Sequence, residues 1–313
     1  MIDAKRFAFI WVSTVFAMFL ANSGQNSFAE ASKPSFEKIE IDGCHNVYAL
    51  DEKVLSGSQP EGEVAFEALS KEGVKSIVSV DGAKPDIDGA AKYGLQYVHI
   101  PFGYDGVPKE QAATLSKALE TLPGKIYVHC HHGKHRSPAG SAMAFVCLGK
   151  WTNDEATAFM KAAGTAPSYI GLYGDVGAAK PLDKEILAAM SANFPQIAKL
   201  PSDVDMMVAL EEHFDRLVLC EAEGWVQPKG HPDVNPRHES LQFMEVLVES
   251  NRTGMFTSQP ADFKRWMVDL EAIGKDILAA LEKGDKASAS AKLNAAKASC
   301  TSCHEVYRNM PKK

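Results

Sequence analysis

Thirteen residues near the middle of the chain gather a thiol, a guanidinium and a hydroxyl around one short loop: Ile126-Tyr127-Val128-His129-Cys130-His131-His132-Gly133-Lys134-His135-Arg136-Ser137-Pro138. The apolar opening reads as a strand, the stretch from Cys130 to Arg136 as a loop, and Ser137-Pro138 as a helix N-cap followed by an N1 proline. A loop that ends at a helix N-terminus aims backbone N–H groups at one point and adds partial positive charge there, so it binds an oxyanion. Cys130 starts the loop in the same field, which favours its thiolate and should bring its pKa below the free value of about 8.5. The chemistry that follows is in-line attack by Cys130 on phosphorus, with Arg136 giving two parallel hydrogen bonds to phosphoryl oxygens. Gly133 lets the backbone curl through positive φ, and Ser137 has a hydroxyl to offer the sulfur. His129 is expected to orient the loop or polarise the thiol from behind. His131, Lys134 and His135 are expected to face outward and, with His132, Gly133 and Arg136, to receive an acidic substrate. Four histidines spread through a tight anion loop suit no fixed coordination shell, so no metal cluster is expected of them.

A second constellation lies near the C-terminus, where Cys300-Thr301-Ser302-Cys303-His304 has the Cys-x-x-Cys-His spacing of covalent c-type haem attachment. Both thiols would bond the haem vinyl groups, and His304 would become the proximal iron ligand; on a helix Cys300, Cys303 and His304 share one face. A redox dithiol would sit beside a βαβ pattern, whereas this motif closes the last of four helical segments. One covalent haem c is therefore the expected cofactor. Among the other cysteines, Cys147 lies roughly 15 Å along the helix leaving the loop, beyond disulfide reach of Cys130. Cys44 is then the candidate for storing an oxidised Cys130 reversibly.

These side chains need two different scaffolds. From Val47 to about Gly149, short apolar runs alternate with amphipathic stretches: strands over 47–50, 54–56, 74–80, 95–100 and 125–129, and helices over 61–71, 86–93 and 109–122. That alternation favours an α/β domain with a mostly parallel sheet flanked by helices. Further helices are expected over 138–148, 153–163, 169–173 and 182–190, with the first domain ending near Phe194-Pro195. Beyond Pro201 come four longer helical patterns, 203–221, 237–250, 261–281 and 286–309, enough for an all-α four-helix bundle. The expected organisation is a leader over 1–31, a first domain over 32–195 and a second over 196–313.

His-Cys, five residues and Arg-Ser together resemble the signature of the protein tyrosine phosphatase superfamily, particularly its dual-specificity-like members. The resemblance spans roughly Val47 to Met190. It implies a Cys nucleophile, here Cys130, an Arg phosphate clamp, here Arg136, and an aspartic general acid on a separate loop. Asp105 in Phe102-Gly103-Tyr104-Asp105-Gly106-Val107-Pro108 is the best-placed carboxylate, with Asp81, Asp86 and Asp88 as competitors. The four helices ending in Cys-x-x-Cys-His-x-x-Tyr-Arg, through Tyr307 and Arg308, resemble the class II cytochromes c, the cytochrome c′ and c-556 group, over about Gln196 to Arg308. That group faces the distal side of the haem with a first-helix residue, often Met. The stripe Leu200, Val204, Met207, Leu210, Phe214 and Leu217 nominates Met207, with Met206 next, and leaves His213 exposed. Two features depart from the group: the Gly224 to Pro236 connection is long and polar, and the first helix has no Lys or Arg between Asp203 and Asp215.

A net charge of -7 over 313 residues gives no reason to expect a nucleic-acid partner. Lys5 and Arg6 followed by an apolar run to Ala21 and the small-x-small Ala29-Glu30-Ala31 read as a signal peptide; the run is short for a spanning helix, which needs about 20 residues, so an uncleaved membrane anchor is the weaker reading. A periplasmic or otherwise exported protein with no membrane contact after cleavage is expected. The leading function is a phosphatase tied to a haem domain, acting on a phosphorylated protein or a small phosphoester. Phosphotyrosine, phosphoserine and phosphoinositides all fit, with a redox partner protein for the haem. The alternative is a haem electron carrier or sensor whose first domain only binds an anionic ligand.

Overall fold

The structure, a computed structural model, describes residues 36–311; the expected leader over 1–31 lies outside them. The first half is built on a six-stranded sheet of order β1-β2-β3-β6-β4-β5, comprising β1 (Glu37–Ile41), β2 (Cys44–Ala49), β3 (Val54–Ser58), β4 (Val74–Ser79), β5 (Gln96–His99) and β6 (Lys125–Cys130). The four strands from β3 to β5 run parallel, and β1 and β2 add antiparallel at one edge. Parallel neighbours need crossovers, supplied by α1 (Gly62–Lys71), α2 (Ile87–Ala91) and α3 (Lys109–Thr121). The sequence pattern missed β1, whose Glu-Lys-Ile-Glu-Ile composition is that of a charged edge strand.

β6 is central and covered on both faces, which is why it reads as an unbroken apolar run. Its side chains alternate: Ile126, Val128 and Cys130 join one core, beneath α3, α4 (Arg136–Cys147), α5 (Asn153–Ala162) and α6 (Ile170–Ala178), while Tyr127 joins the other, with α1. This parity turns Cys130 toward α4. It also separates Cys130 from Cys44, which belongs to the opposite core and whose thiol is pushed up by burial to about 11. The expected storage role of Cys44 therefore loses its geometry. No cysteine among the described residues is in a disulfide.

α4 starts at Arg136 with His135 as its N-cap, two residues earlier than the Ser-Pro pair suggested. Ser137 is no cap because its hydroxyl donates to Gly57 O, 3.0 Å away on β3. After the short α7 (Lys184–Ala189), the chain runs along the open edge of β5, where His99 N–H donates to Pro195 O (2.8 Å) and His99 Nδ1 accepts from Ala198 N–H (3.1 Å).

The second half consists of α8 (Ser202–Ala222), α9 (Pro236–Arg252), α10 (Ala261–Glu282) and α11 (Lys286–Tyr307). Asn235 caps α9 ahead of an N1 proline, and Asp285 caps α11. Each helix packs on the next, whereas α8 and α11 barely touch. The buried stripe of α8 is Met206, Leu210, Leu217 and Cys220; it shares Leu210 and Leu217 with the predicted one, while Met207 and Phe214 are half-buried at its border. His213 lies within this stripe and is half-buried, not exposed: its Nδ1 meets the buried Glu239 carboxylate at 2.8 Å. A polar side chain at this inward position kept His213 out of the predicted stripe. Val204 has a different task, facing the α/β half at Gly82, where a Cβ would come within 2.9 Å of its Cγ1. Among the described residues no helix is long and apolar enough to cross a membrane.

Candidate functional site: an anion loop beside a haem-type motif

The loop after β6 curls tightly over β3. Gly133 has φ of 67°, and a Cβ there would lie 2.5 Å from Gly57 C and Ser58 N, so conformation and space both demand glycine. The loop carbonyls are held from outside: Asn46 Nδ2 donates to Gly133 O (2.9 Å) and to Ala163 O (2.8 Å), and Thr165 Oγ1 donates to Lys134 O (2.7 Å). Carbonyls fixed outward leave N–H groups available to line the inside. Neither Asn46 nor Thr165 was visible as a site residue in the sequence, because each acts through tertiary contact.

Cys130 is buried, and its Sγ lies 3.3 Å from Ser137 Oγ. Ser137 has one proton, shared between Gly57 O and the sulfur, so it can turn to a sulfur that carries negative charge. His129 is fully buried, its Nε2 3.1 Å from Tyr97 Oη. Burial pulls its pKa down to about 4, so at neutral pH it supports the loop as a neutral ring and brings no cationic charge to the thiol.

Arg136 is buried, and its Nη2 donates to Asp81 Oδ2 at 2.7 Å. The same oxygen accepts from His131 N–H at 2.6 Å. The register predicts this neighbour: Ser79 pairs with His129, so two residues further on Asp81 faces His131. Burial pushes the Asp81 carboxyl up, but Arg136 and the N–H groups of Ala83 and His131 outweigh it and hold its pKa at about 2. Asp81 is thus ionised throughout the neutral range and cannot serve as a general acid. Asp86 caps α2 through Gly89 N–H, and Asp88 lies in its first turn. Asp105 lies on the separate β5–α3 loop, away from the Arg136–Asp81 pair. Because the folded pKa of Asp81 is depressed, its contribution to stability is complete above the unfolded value near 4 and is lost as pH falls through about 2. Asp81→Asn should destabilise the protein by about 3–5 kcal/mol at pH 7, since it strands a buried guanidinium. Urea titrations should show the difference from wild type shrinking as pH is lowered toward 2.

The β5–α3 connection forms the opposite wall. Half-buried Asp105 sits in this loop beside Gly103 and Gly106, and a Cβ on Gly171 of α6 would strike the Asp105 carbonyl. Asp175 Oδ2 accepts from Val107 N–H at 2.8 Å and so fixes the loop to α6. Tyr104 lies under the Arg136 guanidinium, 4.3 Å from its ring centroid, and stacks on Tyr169 at 5.2 Å. His135 rests on Tyr169 with ring centroids 4.4 Å apart, and His131 Nε2 is 3.1 Å from Asp215 Oδ2 of α8. These two therefore do not face solvent as expected, whereas His132 and Lys134 do.

On α11, Cys300, Cys303 and His304 share one face, with Cys303 buried and the other two half-buried. Burial raises the Cys300 thiol to about 11 and lowers His304 to about 4, leaving a neutral imidazole. Tyr307 Oη donates to Asp262 Oδ1 (2.6 Å) and Trp266 meets its ring edge-on, which fixes the end of α11 on α10. The residues present fit a covalent haem: two thiols and an imidazole on one face, beside the loosely closed α8–α11 seam bordered by half-buried Met207, Phe214 and Tyr307. Arg308, directly after α11, crosses to the other site: its guanidinium lies 4.2 Å from the Tyr104 centroid, with Nη2 3.3 Å from Tyr169 Oη. The two predicted sites are thus neighbours.

No curated protein matches the sequence. Among solved structures, the chain is similar to P. aeruginosa TpbA at 20% identity and a TM-score of 0.42, covering 52% of this chain and 99% of that one. A cysteine-to-serine variant of TpbA in complex with pTyr gives 18% identity and a TM-score of 0.41, covering 52% and 99%. PTPMT1 gives 16% identity and a TM-score of 0.35, covering 42% of this chain and 91% of that one. In the helical half, residues 249–308, from the end of α9 through the Cys-x-x-Cys-His motif, match the model of the haem-binding family Cytochrome C′.

Proposed function

We propose that this chain is an exported cysteine-dependent phosphatase joined to a covalent haem c domain, with the phosphatase over 32–195 and the haem domain over 196–313. The observation that carries the first part is Arg136: one arm, Nη2, is held by Asp81, while Nε is buried with no partner in the loop that begins at Cys130. A buried guanidinium donor without a partner costs on the order of 1–3 kcal/mol, a cost that a phosphoryl oxygen would remove.

The chemistry then runs in two steps. Cys130 Sγ attacks phosphorus and the bond to the leaving oxygen breaks, with Asp105 supplying the proton that this oxygen needs. Water then attacks the phosphocysteine, Asp105 takes its proton, and the departing sulfur receives the Ser137 hydroxyl from 3.3 Å. Arg136 and the loop N–H groups carry the charge on the equatorial oxygens throughout. Exposed Lys134 extends the attraction for a phosphorylated protein or small phosphoester beyond the loop.

In the second half, Cys300 and Cys303 would hold the haem and His304 would take the iron on its proximal side. Met207, half-buried at the border of the α8 core, would be the second residue to hold the iron. The group supplies one-electron chemistry when bound, for exchange with a redox partner protein.

The test is hydrolysis of a panel of phosphoesters by the haem-loaded protein, compared with Asp105→Asn. The variant should lose about 10²-fold or more in kcat on alkyl phosphates and much less on p-nitrophenyl phosphate, because only a poor leaving group needs the proton in the transition state. An equal loss on both would remove Asp105 from the acid role.

A further inference from the structure

The loop histidines and α8 meet at a point that the phosphatase chemistry does not use. His131 and His132 are adjacent in sequence, yet their rings converge, with centroids 4.3 Å apart at 62°. Both turn toward α8, and His131 Nε2 lies 3.1 Å from Asp215 Oδ2. One ligand atom from each of His131, His132 and Asp215 falls within 4.8 Å of the others. Glu211, one helical turn before Asp215, adds its negative field at both imidazoles.

We propose that His131, His132 and Asp215 form a divalent-cation site that joins the phosphate loop to the first helix of the haem half. Two imidazoles and one carboxylate are the ligand set of an open tetrahedral site for a borderline ion such as zinc, with water in the fourth position. Tetrahedral ligands about 2.0–2.1 Å from zinc stand about 3.3 Å from one another. The His131–Asp215 pair is already at 3.1 Å, so only the His132 ring has to swing inward. His132 is the exposed member of the three, free to make that movement. The sequence argued against a metal site in the loop because histidines alternating through a tight anion loop share no coordination shell; only His131 and His132 converge here, and they need a third ligand from elsewhere. That ligand arrives from a helix more than eighty residues away.

Binding the ion requires both halves to be docked, so the cation would act as a staple between them. It would also place positive charge beside the phosphate loop, where Glu211 and Asp215 otherwise present an acidic face to an anionic substrate. The site does not depend on turnover at Cys130.

The test uses haem-loaded, tag-free protein, in which Cys300 and Cys303 are consumed as thioethers, in a Cys130→Ser background that removes the sulfur of the loop. Titration with Co²⁺, and with Zn²⁺ against a chromophoric chelator, should show one site per chain. Its visible spectrum should be that of nitrogen and oxygen ligands, without a sulfur-to-metal charge-transfer band. Asp215→Ala and His132→Ala should each weaken binding at least tenfold while the haem spectrum and circular dichroism stay unchanged. If both variants bind Co²⁺ as the parent does, or if the spectrum shows sulfur ligation, the proposal is overturned.

Discussion

Replacing Cys130 with serine is expected to lower phosphoester hydrolysis by about 10⁴-fold or more while leaving the fold and phosphate-analogue binding in place. The side chain is buried beneath α4, and serine is close to it in volume, so the core should tolerate the exchange. The loop N–H groups and Arg136, itself held by Asp81, remain to bind the anion. Chemistry and binding should therefore separate in this variant, with kcat collapsing and the dissociation constant for vanadate or phosphate shifting far less. Arg136→Lys should behave differently. A lysine ammonium cannot serve Asp81 and two phosphoryl oxygens through one planar fork, so rate and affinity should fall together, by about 10²–10³-fold in rate. Isothermal titration beside steady-state kinetics distinguishes the two patterns.

The second large effect concerns the haem. Protein expressed with a haem-maturation system should keep a haem absorbance through denaturing electrophoresis, and Cys300→Ala with Cys303→Ala should abolish it completely. Each single variant should retain one thioether and hence part of the signal. This expectation rests on the placement of the two thiols on one face of α11, one buried and one half-buried. A double variant that still carried haem through denaturation would contradict this assignment.

Much of this architecture was legible in the residues. β6 and its loop could be read because one unbroken apolar run, a glycine and a helix start follow each other within thirteen residues. The four long helices of the second half were equally plain, since amphipathic stripes of seventeen to twenty-two residues have few other solutions. The phase of α8 was legible only in part: Leu210 and Leu217 were read as inward, His213 and Cys220 were not. His213 sits in the buried stripe only because Glu239 of α9 waits there, and Val204 is apolar for the sake of Gly82 on the other half. A helix that serves two neighbours has no single hydrophobic face to read.

The site was legible in its reacting groups and not in its supports. Asp81 stood among the competitors for general acid, yet its adjacency to His131 through the β4–β6 register makes it the partner of Arg136. Asn46, Thr165 and Asp175 act through single hydrogen bonds to backbone far away in sequence, and nothing in their local setting marks them. The same holds for Arg308. Its position in the Cys-x-x-Cys-His-x-x-Tyr-Arg run pointed to the haem, whereas the structure also lays it on Tyr104, the ring beneath Arg136.

The covalent intermediate offers the most direct measurement. Haem-loaded protein mixed with phosphotyrosine, quenched in acid within milliseconds and digested, should yield a phosphoryl group on the peptide that contains Cys130. Mass spectrometry should find that group in the wild type and in Asp105→Asn, and not in Cys130→Ser. Product release with no phosphoryl group on Cys130, or binding of phosphoesters with no release at all, would contradict a cysteine-dependent phosphatase and leave the first half as an anion-binding partner of the haem domain.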